Sequence, residues 1–148
     1  MSMEQVVRPL LADDAAVVAQ LEAEARAALV EQRGGPAHLA ERAAVVEWGR
    51  LLSTAGQLAW VATIDDVVVG YLQLQVTGPS AEVMQVYVQP GAREVGFGDW
   101  LLEAAIAAAR ARNCEVLEGT ALPGDRETKN LYERAGIKAR KITVSMPL

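Results

Sequence analysis

Apolar residues recur at helical spacing in the first third of the chain. The segment AAVVAQLEAEARAALVEQR, residues 15–33, follows Asp13 and Asp14, whose carboxylates are common helix-capping groups, and it stops at a Gly-Gly-Pro breaker. AHLAERAAVVEWGRLLS, residues 37–53, then continues the same period. We therefore predict two helices in this region. The preceding segment EQVVRPL, residues 4–10, predicts a short first strand.

The pattern changes to alternation in the middle of the chain. The segments QLAWVATID, VVVGYLQLQVT and AEVMQVYVQ are rich in β-branched residues and alternate in polarity. Asp65 and Asp66 separate the first two segments as a hairpin turn would, and GPS at residues 78–80 separates the last two. This region predicts three antiparallel strands.

Helical spacing returns at Gly98. The predicted apolar stripe consists of Leu101, Leu102, Ala105, Ile106 and Ala109. Asp99, Glu103 and Arg110 fall on the opposite, polar side of the same helix. The stripe predicts an amphipathic helix packed against the preceding strands.

The end of the chain alternates between the two patterns. CEVLEGTAL reads as a strand, RETKNLYERA as a helix capped by Asp125, and IKARKITVSMP as a final strand. The predicted order is β-α-α-β-β-β-α-β-α-β, an α/β (α+β) fold with a mixed, mostly antiparallel sheet and one crossover. We expect one domain over residues 1–148.

Composition and charge narrow the function classes. The chain has 148 residues, one cysteine (Cys114) and one histidine (His38), which argue against disulfides and against Cys- or His-rich metal sites. The net charge is −5, distributed as −6 in residues 1–90 and +1 in residues 91–148, which disfavours nucleic-acid binding. We find no apolar run that could cross a membrane and no secretory leader, so we expect a cytoplasmic protein that does not bind membranes.

The loop AREVGFG, before the amphipathic helix, has the features of an anion site. Glycines let backbone N–H groups approach a ligand closely, and the start of a helix favours negative charge. The same residues would also form an ordinary strand-to-helix turn, so the loop alone leaves both interpretations open. A Rossmann nucleotide site is disfavoured because the loop follows the fourth strand instead of the first.

The surrounding sequence resembles the central motif of the GNAT acyl-CoA N-acyltransferase superfamily. AEVMQVYVQP followed by REVGFG and a long helix is similar to that family's strand, proline turn and glycine loop. NLYERAGI, further along, resembles a second family motif at the expected distance. The resemblance covers residues 82–140 by motif and the rest by layout only.

The resemblance implies a set of residues that bind acetyl-CoA without a metal. Residues 86–88 would offer backbone hydrogen bonds to the pantetheine arm, and the loop amides, with Asp99 completing the turn, would wrap the pyrophosphate. Asn130 lies two residues before Tyr132 on the same helix, so the two side chains point in different directions. The implied binding residues are Val86, Tyr87, Val88, Arg93, Glu94, Val95, Gly96, Phe97, Gly98, Asp99, Asn130 and Tyr132.

The resemblance also implies catalytic roles. Tyr132 matches the tyrosine that commonly protonates the departing thiolate, although a tyrosine at a helix–sheet junction can also be a core residue. Glu82 matches a glutamate that serves as the base in some members; water chains or an already neutral amine are the alternatives. Trp48 is interpreted as a core or interface residue, with contact to the substrate as the alternative. His38 is interpreted as a capping or surface residue and Cys114 as a core residue.

Two acidic residues depart from the family pattern. Glu94 and Asp99 lie where the family loop is often basic, small or polar, so they either point to solvent or weaken CoA binding. The leading hypothesis is an acetyl-CoA-dependent N-acetyltransferase that acts by direct transfer to a primary amine of a small molecule or peptide. The alternatives are a non-catalytic acyl-CoA-binding or dimerising module and a purely structural domain. The resemblance also implies that a homodimer can form.

Overall fold

The structure, a computed structural model, describes residues 3–148. Short 3-10 segments occupy Ala12–Asp14 and Pro90–Val95. The regular elements, in chain order, are β1 (Gln5–Pro9), α1 (Ala15–Leu29), α2 (Gly35–Glu41), α3 (Trp48–Leu51), β2 (Gln57–Ile64), β3 (Val67–Thr77), β4 (Ser80–Val88), α4 (Phe97–Ala111), β5 (Val116–Gly119) and α5 (Arg126–Arg134).

The five strands form one sheet in the order β1-β2-β3-β4-β5. All neighbours are antiparallel except β4 and β5, which run parallel and are connected through α4. Asp65 and Asp66 make the β2–β3 turn with φ of 48° and 67°, the left-handed pair that a two-residue hairpin with matching twist requires. The predicted mixed, mostly antiparallel sheet with one crossover is confirmed.

Helices cover both faces of the sheet. Adjacent residues of β3 point to opposite faces, so Tyr71 packs with Trp48 and Val18 on the side of α1, whereas Leu72 packs with Leu101 on the side of α4. The α4 stripe predicted from the sequence is buried, apart from partly buried Ile106. Hydrophobic burial on these two faces positions the loops at the carboxyl end of β4.

A bulge and a short neighbour open the sheet along β4. Gln73 pairs with Gln85 and Leu74 with Val83, so Met84 has no partner on β3. Strand β5 pairs only with Ser80–Val83 and stops there. Beyond Val83 the outer edge of β4 is therefore free, and a cleft opens beside it.

The predicted second helix, residues 37–53, is wrong as one continuous element. It divides into α2 and the single turn α3, because Arg42 adopts extended backbone angles (φ −127°, ψ 109°). The cause is tertiary. The carboxylate of Glu22 on α1 accepts hydrogen bonds from the Val45 backbone amide (3.1 Å) and from the Trp48 indole (3.2 Å), so the Val45 N–H bonds to a side chain instead of to a helical carbonyl. Trp48 is 1% exposed, as the core interpretation predicted.

The predicted final strand is also wrong. Residues 137–148 carry neither helix nor strand, and Ile142 and Val144 are 84% and 87% exposed. An alternating pattern becomes a strand only when its backbone pairs with a neighbouring edge, and this segment pairs with none of the residues from 3 onward. Over the same described range, no helix has the length and apolar character that a membrane crossing requires.

Candidate active site

A cleft of about 730 Å³ lies at the free edge of β4. Helices α1 and α2 form one wall, with Arg26, His38 and Arg42 among the lining residues. The loop after β4 and helix α5 form the other wall, where Gly96 and Tyr132 face the space. The cleft thus brings together the glycine loop, the β4 edge and α5, which carry the residues of the two sequence motifs.

Two arginines establish which backbone groups of β4 face the cleft. Arg42 Nη1 donates to the carbonyl of Met84 (3.1 Å), and Arg93 Nε donates to the carbonyl of Val88 (2.8 Å). Polar backbone groups alternate in direction along a strand, so the N–H and C=O of Val86 point to the same free edge between these two anchors. Val86 is the position where the sequence predicted a backbone donor.

The glycine loop presents backbone amides at the beginning of α4. Gly96 precedes the helix with φ of 80°, a conformation that favours glycine. Phe97 is fully buried in the core and anchors the turn, so only its backbone, not its side chain, faces a ligand. The first-turn N–H groups of a helix have no intrahelical acceptor, and those of Phe97, Gly98 and Asp99 are therefore available to an anion.

Ion pairs surround the loop. Arg93 Nη1 lies 3.0 Å from a carboxylate oxygen of Glu127, and its guanidinium stacks 5.6 Å above the ring of Tyr87. Asp99 accepts from Arg134 Nε at 2.9 Å, on the polar face that the stripe predicted. The charge of Asp99 is therefore compensated within the protein. Glu94 is exposed at the rim of the cleft.

Tyr132 lies inside the cleft wall and Asn130 at its exposed rim. Tyr132 is 6% exposed, and burial raises the pKa of its hydroxyl above the ordinary value, so the phenol is neutral and able to donate a proton throughout the physiological range. Its ring and hydroxyl pack directly over Gly119, the last residue of β5. Both Tyr132 and Asn130 line the same space.

Glu82 lies beside the cleft and is not free of partners. Its Oε2 forms an ion pair with Arg42 Nη2, while the side chain is 40% exposed. The pair connects the end of α2 to the part of β4 where β5 still pairs. Glu82 is four residues before Val86, about 13 Å along an extended strand. A proton reaching Glu82 from an amine near Val86 would therefore need intervening water.

The sequence model of the acetyltransferase (GNAT) family matches residues 18–137, most of the chain. The chain belongs to the GNAT acetyltransferase family. The resemblance read from the two motifs is thereby confirmed, and the protein is an enzyme of this family. No curated protein matches the chain in sequence.

Solved structures share the GNAT fold over the full length of the chain. The aminoglycoside N-acetyltransferase AAC(6')-Iy in complex with CoA aligns with a TM-score of 0.75 at 14% identity, covering 100% of this chain and 97% of its own. A GCN5-related N-acetyltransferase from Ralstonia eutropha JMP134 gives 0.73 at 21% identity, covering 98% and 99%. A ribosomal-protein-alanine N-acetyltransferase from Brucella melitensis biovar Abortus 2308 gives 0.69 at 21%, covering 97% and 99%. At these identities the similarity shows the fold.

Sequence reasoning missed several polar residues of this GNAT enzyme. Glu22 is 3% exposed, and besides its bonds to Val45 and Trp48 it accepts from Gln85 Nε2 at 2.7 Å. Its place next to Leu21 on the apolar side of α1 was a signal, because a charged residue there must have buried partners. Arg26 and Arg42 carried no such signal, since arginines on helices are usually solvated.

His38 is partly exposed, in agreement with its interpretation as a capping or surface residue, and it lies in the cleft wall. It is half-buried on α2, one turn before Arg42. Burial lowers the pKa of its imidazole, and the nearby charge of Arg42 lowers it further. His38 is therefore neutral at physiological pH.

Proposed function

We propose that this acetyltransferase transfers an acetyl group from acetyl-CoA directly to a primary amine of a small molecule or peptide. The observation that carries the proposal is the backbone of Val86. Its N–H and C=O face the cleft at the one part of β4 that neither β5 nor an arginine covers. A free strand edge next to a helix N-terminus suits an extended ligand that ends in phosphates.

The proposed binding residues form two groups, one for the pyrophosphate of acetyl-CoA and one for its pantetheine arm. The amides of the loop, residues 93–98, and of Asp99 would bind the pyrophosphate, with Arg93 at the edge of the site. The backbone of Val86, Tyr87 and Val88 would pair with the amide groups of the pantetheine arm. The CoA complex of AAC(6')-Iy, which has the same fold, supports this use of the cleft.

Acetyl-CoA supplies an activated acyl group as a thioester. We assign the Val86 N–H to the thioester carbonyl, where it would donate to the oxygen as negative charge develops in the transition state. The amine nitrogen forms the new bond to the acyl carbon as the carbon–sulfur bond breaks. Tyr132 would donate its hydroxyl proton to the departing sulfur, which prevents the thiolate from reacting in reverse.

The amine must lose a proton during the reaction. We assign this proton to Glu82, through water, because Arg42 occupies only Oε2 and Oε1 is free to accept. Starting from the neutral amine, one proton passes from the nitrogen to Glu82 and one passes from Tyr132 to the sulfur. Glu82 then returns its proton through water to the Tyr132 phenolate, which restores both groups. An acceptor that arrives as an ammonium first releases one further proton to water. The two residues therefore act as base and acid on opposite sides of the transfer.

Binding and turnover test the proposal separately. Acetyl-CoA and free CoA should each raise the melting temperature, and a panel of amines should reveal acceptors by release of the CoA thiol. No thermal shift with either ligand would refute CoA binding. A shift without turnover of any amine would favour the non-catalytic acyl-CoA-binding module instead.

Tyr132→Phe tests the acid role. The phenylalanine keeps the buried ring and removes only the proton donor, so kcat should fall about 10²-fold with little change in the KM for acetyl-CoA. An unchanged kcat would remove Tyr132 from the mechanism and leave it as a core residue.

A further inference from the structure

The two walls of the cleft differ in charge. The side of the glycine loop and α5 carries four acidic lining residues, Glu94, Asp99, Asp125 and Glu127, together with three arginines, Arg93, Arg126 and Arg134. On the side of α1 and α2, the ionisable lining residues are Arg26, His38 and Arg42, which we call the acceptor wall. An acceptor approaching the free edge of β4 from this side meets cationic groups and no lining carboxylate among residues 3–148.

Arg26 is the unpaired cation of this wall. Its Nη1 donates to the carbonyl of Arg42 (2.7 Å), while Arg42 itself is paired with Glu82. Within the described part of the chain, no carboxylate oxygen lies within 4.0 Å of the Arg26 guanidinium. The side chain is half-buried, so its charge is partly removed from water without a counterion. Its remaining N–H groups are free to bind an anion.

No neighbouring carboxylate among the described residues forms an ion pair with the Arg26 guanidinium. Glu22, one turn earlier on α1, accepts three hydrogen bonds from Val45, Trp48 and Gln85 and does not line the cleft. The imidazole of His38 is desolvated, and Arg42 and Arg26 both lower its pKa while Glu41 raises it. His38 therefore contributes a neutral group, and the surface that an acceptor meets is positive at Arg26.

We propose that the acceptor carries a carboxylate near its amine, as an amino acid does, and that Arg26 binds this carboxylate while the amine reaches the thioester beside Val86. The inference rests on the proposed acetyltransferase function and narrows its substrate class. A planar guanidinium with free N–H groups matches a carboxylate in charge and geometry. A polycationic acceptor would place more positive charge against Arg26, which costs binding energy.

Matched acceptors provide the test. CoA-thiol release is measured with each of several amino acids, with the α-carboxamide of the same amino acid and with the decarboxylated amine. The carboxamide has the less basic amine and is intrinsically the easier nucleophile to deprotonate, so a preference for the acid cannot come from amine reactivity. We expect kcat/KM to favour the acids by at least about tenfold.

Variants assign the preference to one side chain. Arg26→Gln should lower kcat/KM for the acids about 10- to 100-fold and leave the carboxamides within about twofold. Arg26→Lys should retain part of the preference, because it keeps the charge without the planar pair of donors. Arg50→Gln is the control: Arg50 is exposed on α3, away from the cleft, and pairs with Glu47. The thermal shift with acetyl-CoA verifies that each variant is folded.

Two results would overturn the inference. One is turnover of carboxamides or decarboxylated amines that equals or exceeds turnover of the acids. The other is an equal loss for acids and carboxamides in Arg26→Gln, which would show that Arg26 only supports the carbonyl of Arg42. In both cases the acetyl-CoA shift and amine turnover persist, so the proposed function stands. If the unmodified protein shows neither a thermal shift with acetyl-CoA nor turnover of any amine, the proposed acetyltransferase function and this inference are both refuted.

Discussion

Arg42, where α2 ends, forms an ion pair with Glu82 on β4 and also donates to the carbonyl of Met84. One guanidinium thus connects the acceptor wall to the strand whose free edge faces the cleft. The contact occupies Oε2 of the carboxylate proposed as the base and leaves Oε1 free. The pair therefore positions Glu82 without preventing it from accepting a proton.

Glu82→Gln tests whether this carboxylate is the base. The amide keeps the shape and can still accept a hydrogen bond from Arg42, but it cannot take the proton that the attacking amine loses. We expect kcat to fall about 10²-fold, measured by thiol release at saturating acetyl-CoA. Arg42→Gln removes the same ion pair but leaves the carboxylate, so its loss in kcat should be much smaller. A kcat within about threefold of the unmodified enzyme in Glu82→Gln would assign deprotonation to water or to a neutral amine.

Gly119→Ala should displace the proposed acid without changing it chemically. A Cβ on Gly119 would lie 2.5 Å from Cζ of Tyr132, so the phenol must move. We expect kcat to fall toward the level of Tyr132→Phe and the free energy of unfolding to drop by about 1–3 kcal/mol, measured by urea denaturation. Gly49→Ala, where a Cβ meets only Glu47 Oε1 at 3.9 Å, is the matched control. Wild-type kcat in Gly119→Ala would contradict the placement of the acid.

Glu127→Gln tests whether an acidic residue competes with CoA for Arg93. Glu127 is 68% exposed and pairs with Arg93 at 3.0 Å, so removing its charge frees a guanidinium at the edge of the loop that we propose binds the pyrophosphate. We expect the KM for acetyl-CoA to decrease roughly two- to fivefold, because an exposed pair of this kind is weak. The difference should shrink at high salt, as charges are screened. Glu103→Gln, on the exposed face of α4, should leave the KM unchanged; a rise in KM in Glu127→Gln would show that Glu127 supports the loop.

Asp14→Asn tests the ion pair between Arg8 and Asp14, the residue immediately before α1. Asp14 accepts from both terminal nitrogens of Arg8 (2.7 and 3.0 Å) and from the Leu11 amide (2.7 Å), with 9% of its side chain exposed. The variant should lose about 2 kcal/mol of unfolding free energy at neutral pH, measured by urea denaturation, with exposed Asp13→Asn as the control.

The same pair predicts a pH dependence. The hydrogen bond from Arg8 holds the pKa of Asp14 below its ordinary value of 3.8, so the unfolded chain binds the proton more readily than the folded one. The stabilisation is therefore complete above pH 3.8 and is lost as the pH falls through the folded-state pKa. Asp14→Asn and the unmodified protein should converge in stability at acidic pH. A constant difference across that range would contradict the ion pair.

Much of the fold could be predicted because its determinants are local. The left-handed Asp65–Asp66 turn and the α4 stripe each depend on residues adjacent in the chain or one helical turn apart. The glycine loop and NLYERAGI likewise identify the family through short segments whose geometry is encoded where they occur. The contacts of Glu22, Arg26 and Arg42 were not predictable in this way, because these side chains bind residues far away in sequence.

By itself, the sequence determined the order of most elements, the family and the place of the glycine loop, since periodicity and turn chemistry operate within a few residues. The tertiary structure alone decided where the second helix breaks, because the buried carboxylate of Glu22 accepts a hydrogen bond from the Val45 backbone N–H, which a continuous helix would direct to a carbonyl, and also binds the Trp48 indole. It also decided which charges face the cleft: Asp99 is neutralised by Arg134, whereas no carboxylate oxygen in residues 3–148 lies within 4.0 Å of the Arg26 guanidinium. Charge compensation depends on distances of a few ångströms between segments dozens of residues apart, and such distances exist only once the chain has folded.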